Sequence, residues 1–256
     1  MSDRIAATFA AKRGRPALMP YLMGGRPGVE ESKACCLAAA DAGADLIELG
    51  VPFSDPLADG PVIHEAGTRA LQAGITPSQV LEVCEAASAR IPVVMMVYAN
   101  LVLARGAEDY VRRAAEAGAC GLIVPDLPHD EAPEVRAVCD SHGLALVPLV
   151  APTTTAARLA DIGRDGRGFI YVVSLSGTTG ERAEIGSDLP SMVERTRTST
   201  ALPVAVGFGI STAEQAAEVG TIADGVIVGS RIVRAAEAGG AAAVGSVVRE
   251  LAEALR

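Results

Sequence analysis

Short runs of almost unbroken apolar residues alternate along the whole chain with alanine-rich amphipathic stretches. This rhythm constrains the fold more than any other feature of the sequence. The apolar runs lie at 17–22, 44–49, 92–97, 120–124, 144–150, 168–173, 203–206 and 225–228. Helix-like periodicity fills the intervals at 29–42, 77–89, 107–117, 132–141, 155–162, 187–198, 212–219 and 241–255. A strand that is apolar on both faces must be covered on both faces, which is the condition of a parallel sheet wrapped in helices. Gly43, Gly118 and Gly143 close helical stretches just before the next strand, where a left-handed C-cap suits glycine. Eight strands, each followed by a helix, predict an α/β fold: a single (β/α)8 TIM barrel, with an extra helix ahead of the first strand. A doubly wound open sheet is the alternative. No break in composition marks a second domain, so residues 1–256 read as one domain.

Composition narrows the chemistry. Half of the residues are apolar, enough for a large core. The 22 basic against 31 acidic side chains leave a net charge of −9, which argues against a nucleic-acid or anionic-membrane partner. The longest uncharged stretches, such as 91–104, fall short of the roughly 18 apolar residues that a membrane-spanning helix needs. The apolar run at 5–11, followed by Lys12, Arg13 and Arg15, makes a poor signal peptide. Five cysteines without CxxC spacing point to a reduced, cytoplasmic chain. His64, His129 and His142 show no metal-ligand spacing, so no metal is expected. Neither Lys12 nor Lys33 follows an apolar strand, which argues against a Schiff-base lysine.

In a barrel of this kind the chemistry sits where strands end and βα loops begin. The most unusual segment is 46–61, Leu-Ile-Glu-Leu-Gly-Val-Pro-Phe-Ser-Asp-Pro-Leu-Ala-Asp-Gly-Pro. Glu48 falls inside an otherwise apolar strand, where a carboxylate is costly without partners or a task. Burial would raise its pKa and let it donate a proton near neutrality. The structural alternative is a Glu hydrogen-bonded to a neighbouring loop. Asp55 reads as a loop organiser in an Asx-Pro turn, whereas Asp59 is either a turn residue or a second carboxylate facing the cavity of Glu48. Late in the chain, Val206-Gly-Phe-Gly-Ile-Ser-Thr212 and Val228-Gly-Ser-Arg-Ile232 follow strands seven and eight. Glycine-rich loops opening helices at these places suit a phosphate, although glycine also makes plain turns. The small polar loop after strand six, 174–182, is either a lid or a solvent loop.

Together these segments closely resemble the tryptophan synthase α-subunit family. The signature at 46–61 is highly specific. Met96-Val-Tyr-Ala-Asn100, Pro125-Asp-Leu-Pro128, Ala151-Pro-Thr153, Tyr171 with Ser174, Gly177, Thr179 and Gly180, Gly207-Phe-Gly-Ile-Ser211 and Gly229-Ser230 match in order, from about residue 17 to 232. The resemblance implies a carbon–carbon lyase that cleaves indole-3-glycerol phosphate to indole and glyceraldehyde 3-phosphate. It implies that Glu48 is the general acid–base and that Asp59 binds the indole N–H. The phosphate would rest on Gly180, Gly209 and Ser230, with Gly207, Phe208 and Gly229 shaping the cradle. Tyr21, Met96 and Tyr171 would wall the indole pocket, and Thr179 would belong to the lid. No cofactor is implied on this chain. The implied partner is a pyridoxal-phosphate β subunit in an α2β2 heterotetramer, which condenses the indole with serine to give L-tryptophan.

Tyr21 stands where many members have Phe, His64 stands where Gln is common, and Leu175-Ser176 varies the lid. Competing readings are a sugar-phosphate isomerase, a stand-alone indole-releasing lyase and a regulatory barrel that has lost catalysis. The isomerase does not require the Glu48–Asp59 signature, and loss of either carboxylate would have favoured the regulatory barrel.

Overall fold

The computed structural model describes residues 4–12, 14–173, 188–207 and 209–256. Helix α1 (Arg4–Ala11) precedes strand β1 (Ala17–Met23), followed by α2 (Val29–Asp41) and β2 (Ile47–Gly50). Then come α3 (Pro61–Gln72), α4 (Pro77–Ser88), β3 (Val93–Met96), α5 (Ala99–Leu103), α6 (Ala107–Glu116) and β4 (Gly121–Ile123). A 3-10 turn (His129–Glu131) leads to α7 (Pro133–Ser141), β5 (Ala145–Val147), β6 (Leu149–Val150) and α8 (Ala156–Asp165). The remainder is β7 (Ile170–Val173), α9 (Leu189–Arg197), β8 (Val204–Gly207), α10 (Ala213–Gly220), β9 (Gly225–Val228) and α11 (Ser230–Ala254).

All strand pairs are parallel, in the order β5-β4-β3-β2-β1-β9-β8-β7-β6. The expected TIM barrel is therefore present, with one difference: the run at 144–150 is two strands. Pro148 has no N–H for a ladder, and the chain breaks there. β5 pairs with β4, while β6 pairs with β7, so the ring closes through Pro148.

The alternation of side chains explains why the strands look apolar throughout. Leu18, Leu22, Ile47, Leu49, Val93 and Met95 face the helices. Met19, Leu46, Val94, Ile123, Val147, Phe169, Ala205 and Ile227 fill the interior. Helix α1 plugs the base of that interior. Ile5 is fully buried in the inner cluster, and Phe9 packs on Phe169 with centroids 5.9 Å apart. Room for the plug comes from missing side chains: a Cβ on Gly121 or Gly168 would press on Ile5, and one on Gly225 on Phe9.

Two helices, α3 and α5, go beyond the periodicity reading, and the expected last helix at 241–255 is the second half of α11, preceded by a further helical segment from Ser230. α3 begins with Pro61 in its first turn and buries Ala66, Gly67 and Ala70. α11 breaks at Gly239 and Gly240, and Gly240 takes φ +58°, a conformation natural to glycine. Past the break, the Ala241 N–H donates to the Glu31 carboxylate at 2.7 Å, so a side chain from α2 caps the second half. No helix among the described residues is long and apolar enough to cross a membrane.

Candidate active site

Glu48 is the second residue of β2, level with Tyr21 of β1 and Val94 of β3. Its neighbours Ile47 and Leu49 face outward, so its own side chain points into the barrel, where it is 1% exposed. Neither carboxylate oxygen has a hydrogen-bond partner among the described residues. Burial, and then the charge of Asp59, push the Glu48 pKa up to about 8.

Asp59 lies on the loop between β2 and α3. That loop is folded by local bonds: the Leu57 N–H donates to the Asp55 carbonyl at 2.9 Å and the Asp59 N–H to the Pro56 carbonyl at 3.0 Å. The Asp55 side chain accepts from the Ser54 hydroxyl at 2.5 Å and faces solvent. Burial raises the Asp59 pKa to about 6, opposed by a hydrogen bond from Tyr98 and by the charge of His64. His64 is exposed on α3. The Tyr98 hydroxyl donates to Asp59 Oδ1 at 2.8 Å, accepts the Ala58 N–H at 3.1 Å, and its ring stacks on Phe53 at 5.0 Å. Tyr98 is the neighbour that sequence reasoning missed as a site residue, although it lies within the matched segment Met96-Val-Tyr-Ala-Asn100, two residues past a strand end.

Tyr21 and Tyr171 are buried in the same mouth. Their hydroxyls occupy space vacated by glycine: a Cβ on Gly50 would collide with the Tyr21 hydroxyl, and one on Gly207 with that of Tyr171. Burial, reinforced by the Glu48 and Asp59 charges, holds both phenols well above their usual pKa, so they remain protonated. Met96 is half-buried opposite Gly50 and joins the interior to the cluster of Tyr21, Ile63 and Val233. The walls supplied by α3 were not foreseen.

Gly209 has φ +78° and open space where a side chain would project. Gly229 is the N-cap of α11 and lies against Ile63 and Tyr21, at 3.2 and 3.8 Å from its would-be Cβ; Ser230 is the first residue of that helix. The two helix N-termini here differ. α10 is self-capped: Thr212 accepts the Gln215 N–H, and the Gln215 side chain accepts the N–H groups of Ser211 and Thr212. α11 has no side-chain cap. Phe208, Thr179 and Gly180, and the segment 174–182 to which the lid reading applies, lie outside the described residues.

Both lysines are paired with carboxylates, Lys12 with Asp45 at 2.6 Å and Lys33 with Glu30 at 2.7 Å. The five cysteines are buried free thiols. Among the described residues no group of His, Cys, Asp or Glu could hold a metal ion.

A parallel barrel with a buried and a half-buried carboxylate and glycine-lined turns at the same mouth defines a (β/α)8-barrel protein with a candidate site at the ends of its strands. Comparison with known proteins narrows the class. The family description "Tryptophan synthase alpha chain" matches residues 8–255. A tryptophan synthase alpha chain of Carboxydothermus hydrogenoformans is 49% identical over 92% of this chain and 90% of its own, and one from Methanosarcina mazei is 50% identical over 87% and 82%. Among solved structures, Mycobacterium tuberculosis tryptophan synthase superposes with a TM-score of 0.93 at 40% identity, covering 99% of this chain and 98% of that one. The alpha subunit from Legionella pneumophila gives 0.91 at 34%, covering 100% and 99%. The chain belongs to the tryptophan synthase alpha chain family.

Proposed function

We propose that this chain, acting as one domain over 1–256, cleaves indole-3-glycerol phosphate by a retro-aldol step. The observation that carries the reading is Glu48: a carboxyl group buried at the barrel mouth, with no hydrogen-bond partner among the described residues, and with its pKa raised by burial to about 8. A buried acid without a hydrogen bond of its own is poised to deliver a proton to a ligand atom. Delivered to C3 of the indole ring, that proton creates an iminium-like indolenine, which is the electron sink for breaking the bond to the glycerol side chain. As that bond breaks, its electrons restore the aromatic ring. The side-chain hydroxyl becomes the aldehyde, and its proton returns to the Glu48 carboxylate, so the proton balance closes on one residue.

Asp59, ionised above about pH 6, accepts the indole N–H and offsets the positive charge that develops on the ring. Tyr21, Tyr171 and Met96 wall the ring. The phosphate rests on Gly180, Gly209 and Ser230, with Gly207, Phe208 and Gly229 shaping the cradle; the uncapped first turn of α11 supports this placement, since its N–H groups suit an anion. Thr179 belongs to the lid that excludes water. The indolenine makes a cofactor on this chain unnecessary.

Indole passes to a separate pyridoxal-phosphate β subunit in an α2β2 assembly, in the cytoplasm, for condensation with serine to L-tryptophan. Leu57, 89% exposed at the tip of the loop that carries Asp59, supports a docking role for that loop. The test is a steady-state assay on indole-3-glycerol phosphate with wild type, Glu48→Gln and Asp59→Asn. Each variant is expected to lose at least about 10²-fold in turnover, and adding β to wild type to raise the rate about tenfold or more. Near-normal cleavage by either variant sinks the assignment of that residue. Equal rates with and without β, where sedimentation shows no complex, favour a stand-alone lyase.

A further inference from the structure

Tyr98 is 2% exposed and lies just beyond the end of β3. Its hydroxyl oxygen is the meeting point of two successive residues on a loop that is distant in sequence: it accepts the Ala58 N–H at 3.1 Å and donates to Asp59 Oδ1 at 2.8 Å. Its ring stacks on Phe53 at 5.0 Å, near the start of the same loop. One side chain thus clamps the loop at its entrance and at its carboxylate. No described residue hydrogen-bonds the other oxygen, Asp59 Oδ2. The clamp keeps its donor: burial and the neighbouring Asp59 charge hold the Tyr98 hydroxyl above the usual phenol range, so it stays protonated.

We infer that Tyr98 is a positioning residue for Asp59: its hydroxyl occupies one carboxylate oxygen and leaves the other for the ligand. The surroundings show why such a device is needed. Glu48 from β2 and the phenols Tyr21 from β1 and Tyr171 from β7 face the same carboxylate without giving it a hydrogen bond, and Asp126, past β4, acts on Tyr98 itself. Among the described residues the one favourable charge is His64, exposed on α3. Against the burial that favours the neutral acid, the Tyr98 hydroxyl is the main opposing interaction. Two carboxyl groups in one mouth can divide the roles of acid and anion only if something holds their ionisation apart.

The ligand that Oδ2 awaits, an aromatic N–H donor, rests on the lyase reading. The control of Asp59 by Tyr98 does not. Tyr98→Phe keeps the ring and its stack on Phe53 and deletes only the hydroxyl; Ala58, whose N–H loses its acceptor, is an exposed loop residue. The experiment follows the Asp59 carboxyl carbon by NMR titration in the labelled full chain, assigned with Asp59→Asn, alongside the pH profile of kcat/KM. In Tyr98→Phe the Asp59 titration is expected to move up by about one unit, with little change in Tm. The acid limb of the rate profile should move with it. An unmoved Asp59 titration overturns the inference, and so does a lowered Tm without a shift, because that marks a packing role alone. A moved titration with an unmoved acid limb upholds the clamp and removes Asp59 from the reaction instead.

Discussion

The hydroxyl of Tyr21 lies over Gly50, in the space that a side chain there would fill. The two residues are on adjacent strands, two residues out of register, since Tyr21 pairs with Glu48. Glycine at the end of β2 is therefore a packing requirement of the pocket wall. Tyr171 over Gly207 repeats the arrangement across the mouth. Gly50→Ala should destabilise the protein by about 1–3 kcal/mol through overpacking, read as a fall in the urea midpoint. Pairing it with Tyr21→Leu should return part of that loss. Strict additivity of the two changes would refute the contact.

Activity should be confined to a window between the two carboxyl titrations. Asp59 becomes anionic above about 6 and Glu48 stops being a proton donor above about 8, so kcat/KM should rise through the first value and fall through the second. A profile that is flat from pH 5 to about pH 9 is the outcome that excludes the acid–anion division.

Glu48 also ties stability to pH. Its folded pKa is raised from 4.5 to about 8, so the folded state holds a proton that the unfolded chain has released. Its contribution is fully present below 4.5 and is lost as pH rises towards 8. Glu48→Gln cannot ionise, so its Tm relative to wild type should climb steadily across that interval and level off above it. A difference independent of pH would mean that Glu48 is solvated in the folded protein.

The base of the barrel should respond in stability alone. Ile5→Ala opens a cavity under Gly121 and Gly168, and should cost about 2–5 kcal/mol in chemical denaturation. The turnover of the folded fraction should stay near wild type, because the site occupies the opposite end. A matching loss of kcat at full folding would show that the plug communicates with the mouth.

At the anion end, Gly209→Val places a β-branched residue at φ +78° and a side chain in open space above the turn. Glycerol phosphate should bind this variant at least about tenfold more weakly by calorimetry, and Ser230→Ala only about fivefold, the loss of one hydrogen bond. Unchanged binding by Gly209→Val would put the phosphate elsewhere.

The barrel class was legible in the sequence because burial on both faces writes itself into each strand: Ile47 and Leu49 outward and Leu46 inward are all apolar. That same uniformity exposed Glu48 as the residue out of place. The resemblance carried by 46–61 further singled out Asp59. Periodicity passed over α3, whose short apolar face is interrupted by His64, Glu65 and Arg69, and it joined β5 to β6 because Leu149 and Val150 continue the apolar run beyond Pro148. What only the tertiary structure decided is which distant residues meet: Ile5 beneath Gly168, Glu31 on the Ala241 N–H, Tyr21 over Gly50 and Tyr98 on Asp59. Local pattern records whether a side chain is buried, since burial repeats with the period of the element. It does not record what a buried group touches, because that depends on the closure of the barrel, and the ionisation of Glu48 and Asp59 follows from those contacts.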